Sequence, residues 1–414
     1  MAANLAHALE RLYARIPLGM RLGLGPMADA VAAAGHPERA YGTIHVAGTN
    51  GKGSTCAWVE RMARAQGLRT GLYTSPHLER FAERIRVDGE PLAESALAPL
   101  LDDVLARTPD LSFFETATLA AFEAFRAAKV DVAVIEVGLG GRLDATNVLE
   151  RPVATAVTRI AFDHQDKLGD TLERIAAEKA AIAKSGVPMI LGPLEAGPRR
   201  VIEEFAKRAG APVVDVANDT TFDPWLDAAP LALPGAHQRD NAKVACAIAR
   251  TAGYGERAIR EGLARASWPG RLERIPFRGI PFLLDAAHNP DGARALAAHL
   301  DGLGIDPSRV GLVFGTLADK AWPEMLDLLA PRARMRVYAP PDLVPGTGRS
   351  AAPLASMAER HAGDVAADVF QAIDRACQGD GSPPELVVVA GSMYLLGAVR
   401  AALAGRSKDG GVAL

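Results

Sequence analysis

Chemistry concentrates first in the run His45-Val-Ala-Gly-Thr-Asn-Gly-Lys-Gly-Ser-Thr55. It lies between a β-branched stretch that reads as a strand and an Ala-rich stretch that reads as a helix, the setting a phosphate cradle needs. Its glycines let the backbone N–H groups of Thr49, Asn50, Gly51 and Gly53 approach phosphate oxygens, and the helix start adds the positive end of a dipole. Lys52 would neutralise β- and γ-phosphate charge, and Ser54 or Thr55 would reach a Mg²⁺ ion. The spacing departs from G-x-x-x-x-G-K-[ST], because Val46 stands at the first glycine position and Gly53 separates Lys52 from Ser54. A Gly-rich turn with a surface lysine is the bland alternative. The strand-to-helix context favours ATP.

Such a loop needs a parallel sheet behind it, and the patterning supplies one. Short β-branched runs alternate with Ala-rich helical stretches, as in an α/β protein. Strands are expected at 43–47, 70–74, 130–137, 153–160 and 188–191, and helices at 52–65, 115–129, 171–184 and 198–209. Residues 218–234, rich in Asp and Pro, read as a loop. A second alternating set has strands at 282–285, 310–314, 335–339 and 386–390. Helical stretches at 240–252 and 256–266 precede Trp268-Pro269-Gly270, a turn signal that divides the chain into domains at 1–270 and 271–414. No repeat of fixed period is present.

Composition narrows the function classes. A length of 414 residues suits two domains of roughly 100–200 residues each. Lys and Arg number 46 against 49 Asp and Glu, a net charge of −3, which excludes a broad basic surface for nucleic acid. Cys56, Cys246 and Cys377 lie far apart with no C-x-x-C spacing, so neither a disulfide framework nor a thiolate zinc site is expected, and a reducing compartment is. Glu10 and Arg11 interrupt any signal-peptide core, and the longest uncharged stretch, 386–399, is too short for a bilayer. A cytoplasmic monomer, with no membrane or nucleic-acid partner, is the expectation.

Three further segments follow the loop: Thr74-Ser-Pro-His-Leu78, Glu136-Val-Gly-Leu-Gly-Gly-Arg-Leu-Asp-Ala-Thr-Asn147 and Asp285-Ala-Ala-His-Asn-Pro290. With Gly48-Thr-Asn-Gly-Lys-Gly-Ser54 they resemble the folylpolyglutamate synthase/dihydrofolate synthase family of Mur-ligase-like, ATP-dependent amide ligases. The matching segments run from Leu22 to Tyr394, in the family's order. The resemblance implies an N-terminal P-loop, Mur-ligase-like ATPase domain with a parallel sheet, and a smaller C-terminal Rossmann-like α/β domain. It also implies a reaction. ATP phosphorylates a substrate carboxylate, giving an acyl phosphate and ADP; the amino group of L-glutamate attacks that carbonyl, and phosphate leaves. The short form with Leu22-Gly-Leu24 resembles bifunctional bacterial enzymes, so both dihydropteroate and reduced folates are the expected acceptors.

Site residues follow by the same resemblance. Ser54, Ser75 and Glu136 would hold one Mg²⁺, and His164 a second. His164 sits in Asp163-His-Gln-Asp-Lys-Leu-Gly169, where Gln165 and Lys167 depart from the family's Thr and Trp. Lys179 matches a lysine carbamylated in the family and would join the metal ligands, with Ala181 standing where the family has Gly. Asn241 would meet adenine, Arg271 a nucleotide phosphate, and Asp285 the ribose. His288 would assist near the transferred phosphate or the attacking amine, which makes Lys52, Lys179 and His288 the catalytic set. The pterin pocket would comprise Leu22, Gly23 and Leu24, then Phe113, Phe114, Glu115 and Thr116, and finally Leu143, Asp144 and Ala145. Arg or Lys of the second domain would hold glutamate.

Each assignment has an ordinary alternative. Glu136 could be a strand-end surface charge, Lys179 a helix-surface lysine, His164 a solvated or capping side chain, and Phe113–Phe114 a pair alternating between core and surface. Two other functions compete. A cell-wall Mur ligase carries a further N-terminal domain, yet only 47 residues precede Gly48. A nucleotide-dependent switch would need the loop alone and gives no reason for Asp285-to-Pro290.

Overall fold

The computed structural model describes residues 4–16, 23–228, 230–343, 349–378, 381–406 and 409. Of the expected site residues, Leu22 lies outside them.

Two sheets organise the chain. The first uses β1 (Gly42–Ala47), β2 (Thr70–Tyr73), β3 (Ile85–Val87), β4 (Glu90–Pro91), β5 (Val132–Glu136), β6 (Ala154–Val157), β7 (Met189–Leu191) and β8 (Val213–Asp215). They lie in the order β4-β3-β2-β5-β1-β6-β7-β8. β2, β5, β1, β6, β7 and β8 are parallel, and β3 and β4 add an antiparallel edge. β5 is buried at all five positions because helices cover both faces, and it is accordingly apolar up to its last residue, Glu136. Helices Leu5–Tyr13, Glu94–Arg107 and Phe113–Ala128 pack on one face. Helices Lys52–Ala65, Ala236–Thr251 and Glu256–Arg265 pack on the other.

The second sheet uses β9 (Glu273–Phe277), β10 (Ile280–Leu284), β11 (Val310–Phe314), β12 (Met335–Tyr338), β13 (Asp364–Val365) and β14 (Leu386–Ala390). Their order is β13-β12-β11-β14-β10-β9, parallel except for β9, which runs antiparallel to β10. The α/β class and the two-part architecture agree with expectation. The helix expected at 171–184 stops earlier, spanning Leu172–Ala180 with Ala181 as its cap, and the chain then turns at Gly186 with a φ of 72°. The 218–234 segment contains one short helix, Asp223–Asp227. The β3–β4 hairpin and β9 have no counterpart in the sequence expectation.

Ligand crevices in parallel sheets open beyond the carboxyl ends of strands, at the point where strand order reverses. Leaving β1, the chain crosses to β2 on one side and later places β6 on the other. The loops after β1, β2, β5 and β6 therefore converge. The loops after β10, β11 and β14 meet them across a cleft.

Candidate active site

The loop after β1 is shaped by two close approaches. Gly48 has φ +151°, and a Cβ there would lie 1.9 Å from Thr158 Oγ1; Gly51 has φ +89°, and its Cβ would lie 2.1 Å from Asn241 Oδ1. The helix then begins at Lys52, as the sequence predicts. Lys52 Nζ donates to the carbonyls of Gly48 (3.1 Å) and Thr49 (3.2 Å) and stands 3.9 Å from Glu136 Oε1. Burial raises the Glu136 pKa above the usual carboxylate range, against the pull of Lys52. Glu136 Oε2 accepts the Ser75 N–H at 3.2 Å, while Ser75 Oγ is buried with no hydrogen-bond partner among the described residues.

One cleft of about 100 Å³ is lined by this loop together with Ser75, Glu136, His164, Lys179, Arg271 and His288. Eleven expected residues thus meet there, counting Thr49, Asn50, Gly51, Lys52 and Gly53 of the loop. A second cavity, about 270 Å³, is bordered by Asn241, His237, Asp240, Asp285 and Arg294, with Asn50, Gly51 and Arg271 common to both. Among the described residues Arg271 has no ion-pair partner, so its guanidinium is available to a ligand bridging the two. Ser54 opens on the second cavity, not on the cleft of Ser75 and Glu136, and its Oγ accepts from Gln238 Nε2 at 3.2 Å. The structure therefore does not group the three expected ligands of one ion.

Lys179 is 4% exposed. Burial, then the charge of Lys52, lowers its ammonium pKa to about 7, which refutes the surface-lysine alternative. Burial likewise pushes His164 down to about 3, outweighing the attraction of Asp163. His164 starts a short helix, Gln165–Leu168, at φ 49°, and its side chain makes no cap.

Asp163 is the residue that sequence reasoning passed over. Burial alone would raise its pKa, yet His288 Nε2 at 3.2 Å, Lys320 Nζ at 2.6 Å and nearby His164 hold it well below the usual range. His288 is thereby fixed, since its Nδ1 lies 2.8 Å from the Ala286 carbonyl. Asn289, also unassigned, pairs its amide reciprocally with Asn50 at 3.0 and 3.1 Å and caps the Pro290–Leu303 helix through Gly292 N–H. Arg159 closes the row on Asp291 at 2.9 Å. Asp163 was visible inside its motif and Asn289 as a cap before Pro290. Lys320 carried no local signal. Asp285, expected at the ribose, lines the second cavity, and its oxygens accept from Leu272 and Ala287 N–H at 3.0 Å, so it also shapes the turn.

The expected pterin set is dispersed. Phe113 is buried and stacks on Tyr13 at 5.7 Å; Thr116 is fully buried and accepts from Arg15. Glu115 accepts from Ser112 N–H and Oγ at 2.8 and 2.6 Å, completing a capping box for the Phe113–Ala128 helix. Asp144 accepts from Gly138 and Leu139 N–H, which ties down the loop after β5, and Ala145 is in the core. Phe114 alone of the four helix residues faces a site loop, its ring touching the space a Cβ on Gly138 would fill. Gly23, Leu24 and Leu143 are partly exposed and border neither cavity. Glu115→Ala should therefore lower unfolding free energy by about 1–2 kcal/mol. Denaturant unfolding would measure it, and KM for a pterin substrate should stay unchanged.

Among the described residues no three His, Cys, Asp or Glu side chains cluster as a metal site, and no helix is long and apolar enough to cross a membrane. A cation here would rest on few protein oxygens, which Mg²⁺ tolerates because it keeps its waters. The buried, unpartnered Ser75 Oγ beside the Glu136 carboxylate fits such an ion.

Comparison with known proteins gives the family. Residues 46–220 match the Mur ligase middle domain, and residues 270–393 the Mur ligase, glutamate ligase domain. The dihydrofolate synthase/folylpolyglutamate synthase of Bacillus subtilis is 32% identical, covering 94% of this chain and 96% of that protein. The structure of E. coli FolC in complex with DHPP and ADP superposes with a TM-score of 0.85 at 33% identity, covering 98% of this chain and 99% of the other. A bifunctional folylpolyglutamate synthase/dihydrofolate synthase with Mn, AMPPNP and L-glutamate bound gives 0.79 at 32% identity, covering 93% and 95%. The chain belongs to the dihydrofolate synthase/folylpolyglutamate synthase family of Mur ligases.

Proposed function

We propose that this protein is an ATP-dependent carboxylate–amine ligase that joins L-glutamate to dihydropteroate, giving dihydrofolate, and to the γ-carboxylate of reduced folates. Residues 1–270 would form the ATP-binding and pterin-binding domain, and residues 271–414 the domain that completes the nucleotide and glutamate sites. One observation carries the reading: the phosphate loop and His288 line the same cleft, although they stand on different sheets. The DHPP and ADP of the E. coli structure and the AMPPNP and L-glutamate of the other relative support it.

The reaction follows from the placement. Backbone N–H groups of the loop and Lys52 hold the β- and γ-phosphates, with adenine in the second cavity against Asn241, whose amide can both donate and accept. Arg271 faces phosphate oxygens from the linker side. His288, held by Asp163 and the Ala286 carbonyl, stands beside the transferring phosphoryl group. The substrate carboxylate takes the γ-phosphoryl group, ADP departs, and the glutamate amine displaces phosphate from the acyl phosphate. Asn50, Asn289, Arg159 and Asp291 draw the lobes together over that intermediate and keep water from competing with glutamate. Ser75 and Glu136 would hold one divalent cation, and His164 with a carbamylated Lys179 a second. Such ions neutralise phosphate charge and orient the groups in line. Phe114, Leu143 and the Gly23–Leu24 segment would border the pterin, and the protein would act as a cytoplasmic monomer.

Mg²⁺-dependent ADP release should appear with both dihydropteroate and tetrahydrofolate when glutamate is present, and fall nearly silent when it is omitted. Release with a single acceptor would keep the ligase and correct its substrate. Release independent of glutamate, or stimulation by neither acceptor, would overturn the assignment.

A further inference from the structure

Outside the two cavities, a cluster of opposed charges joins the two sheets. Glu79, 3% exposed, lies four residues beyond Ser75 on the segment that follows β2. Its carboxylate meets the Arg400 guanidinium of the last helix, Met393–Leu403, and also Arg406 at 2.8 and 3.0 Å. Arg400 turns its Nε and Nη2 to Glu273 at 2.9–3.1 Å. Glu273 in turn accepts the Gly270 N–H at 2.8 Å, next to Arg271. One guanidinium therefore bridges the segment that carries Ser75 and the linker that carries Arg271.

The surroundings make this a joint and not a loose surface pair. A Cβ on Gly397 would lie 2.0 Å from the Leu78 carbonyl, so the helix backbone runs directly against that segment. The amides of Leu78 and Glu79 are held from the other side by Glu83 at 2.9 and 3.1 Å. Beyond the helix, Asp409 accepts the Phe81 N–H at 2.7 Å and donates its own to the Glu79 carbonyl. The segment is thus gripped along its length; the Leu78 side chain packs against Gly270 of the linker, and Arg400 adds a charged bridge to it.

We propose that Arg400 is a positioning residue for the ligation: by bridging Glu79 and Glu273 it fixes Ser75 and Arg271 relative to each other and forms the pivot on which the lobes close. The inference rests on the ligase reading above for its kinetic test. Arg presents a planar fork that can serve two carboxylates at once, whereas Lys is a point charge and serves one well. Arg400→Lys keeps the charge balance and breaks the bridge.

The expected result is a kcat for Arg400→Lys lower by about tenfold, a fraction of the roughly hundredfold that a 1 Å misplacement costs. KM for ATP and for the acceptor should change much less. Arg278→Met, which removes an exposed pair with Asp374 in the same lobe, is the control and should match wild type. Hydrogen exchange supplies a readout independent of substrate: in Arg400→Lys, peptides spanning 74–79 and 268–273 should exchange faster together. Should Arg400→Lys fail to fold, Glu79→Gln is measured in its place, with the same expectations. An unchanged kcat, or faster exchange in the C-terminal helix alone, would overturn the proposal. Wild type silent with every acceptor would instead refute the ligase reading, and the exchange pattern would still decide the pivot.

Discussion

Lys52→Ala is expected to reduce ADP release by about 10²–10³ or more, the scale on which a preorganised charge at a reacting group acts. The side chain has two jobs in the cleft. Its ammonium spans the carbonyls of Gly48 and Thr49, which keeps the charge at the mouth of the loop, and it offsets the buried Glu136 at 3.9 Å. Without it the burial that raises the Glu136 pKa is less opposed, so the carboxylate takes up a proton more readily and becomes a poorer ligand for a cation. The loss should therefore exceed that of phosphate binding alone and show as weaker Mg²⁺ dependence. Stability should change little, since the loop is also pinned by Thr158 and Asn241 through the close approaches at Gly48 and Gly51. Activity above a tenth of wild type in a cooperatively folded Lys52→Ala would remove Lys52 from the catalytic set.

How much of this was legible in the chain depends on the distance over which the signal acts. The phosphate loop and the helix after it were legible because Gly-rich turns, β-branched strands and helix starts are local, and the helix runs Lys52–Ala65 as expected. The charged hub was not. Asp163 and Lys320 are 157 residues apart, and nothing near Lys320 distinguishes it from a surface lysine. Glu115 failed for a different reason. Ser112-Phe-Phe-Glu115 is a capping-box pattern present in the sequence, whereas the family likeness assigns the same residues to a pocket. A local rule was outvoted by a resemblance, and the structure restores it. Ser54 illustrates a third limit, since which side of a loop a hydroxyl faces is decided by Gln238, 184 residues away.

Replacement of Lys179 should give the second large effect, and with an unusual sign. Lys179→Met is expected to lower kcat by about a hundredfold or more, as loss of a ligand-supporting group does, and at the same time to stabilise the protein. The burial that causes the first consequence of this lysine also causes the second. In the folded chain its ammonium gives up its proton near pH 7, whereas in the unfolded chain it keeps it to the ordinary 10.5. Between those values the unfolded state binds more protons, so wild-type stability rises with pH across that window, and below about 7 the full cost of a buried charge is present. The stabilisation by Met should accordingly be largest below pH 7 and shrink toward pH 10, which melting curves across pH would show. The same depressed value leaves much of the side chain as neutral amine at neutral pH. That amine can attack CO₂, forming an N–C bond and releasing a proton, and the product is an anion where a cation stood beside Lys52. Wild type equilibrated with ¹³C-bicarbonate should then show a carbamate resonance that Lys179→Met lacks, growing as pH rises through about 7. A stabilised, inactive Lys179→Met together with a wild type that shows no such resonance would leave Lys179 as a neutral amine of the cleft, and the proposed second cation would have to rest on His164 alone.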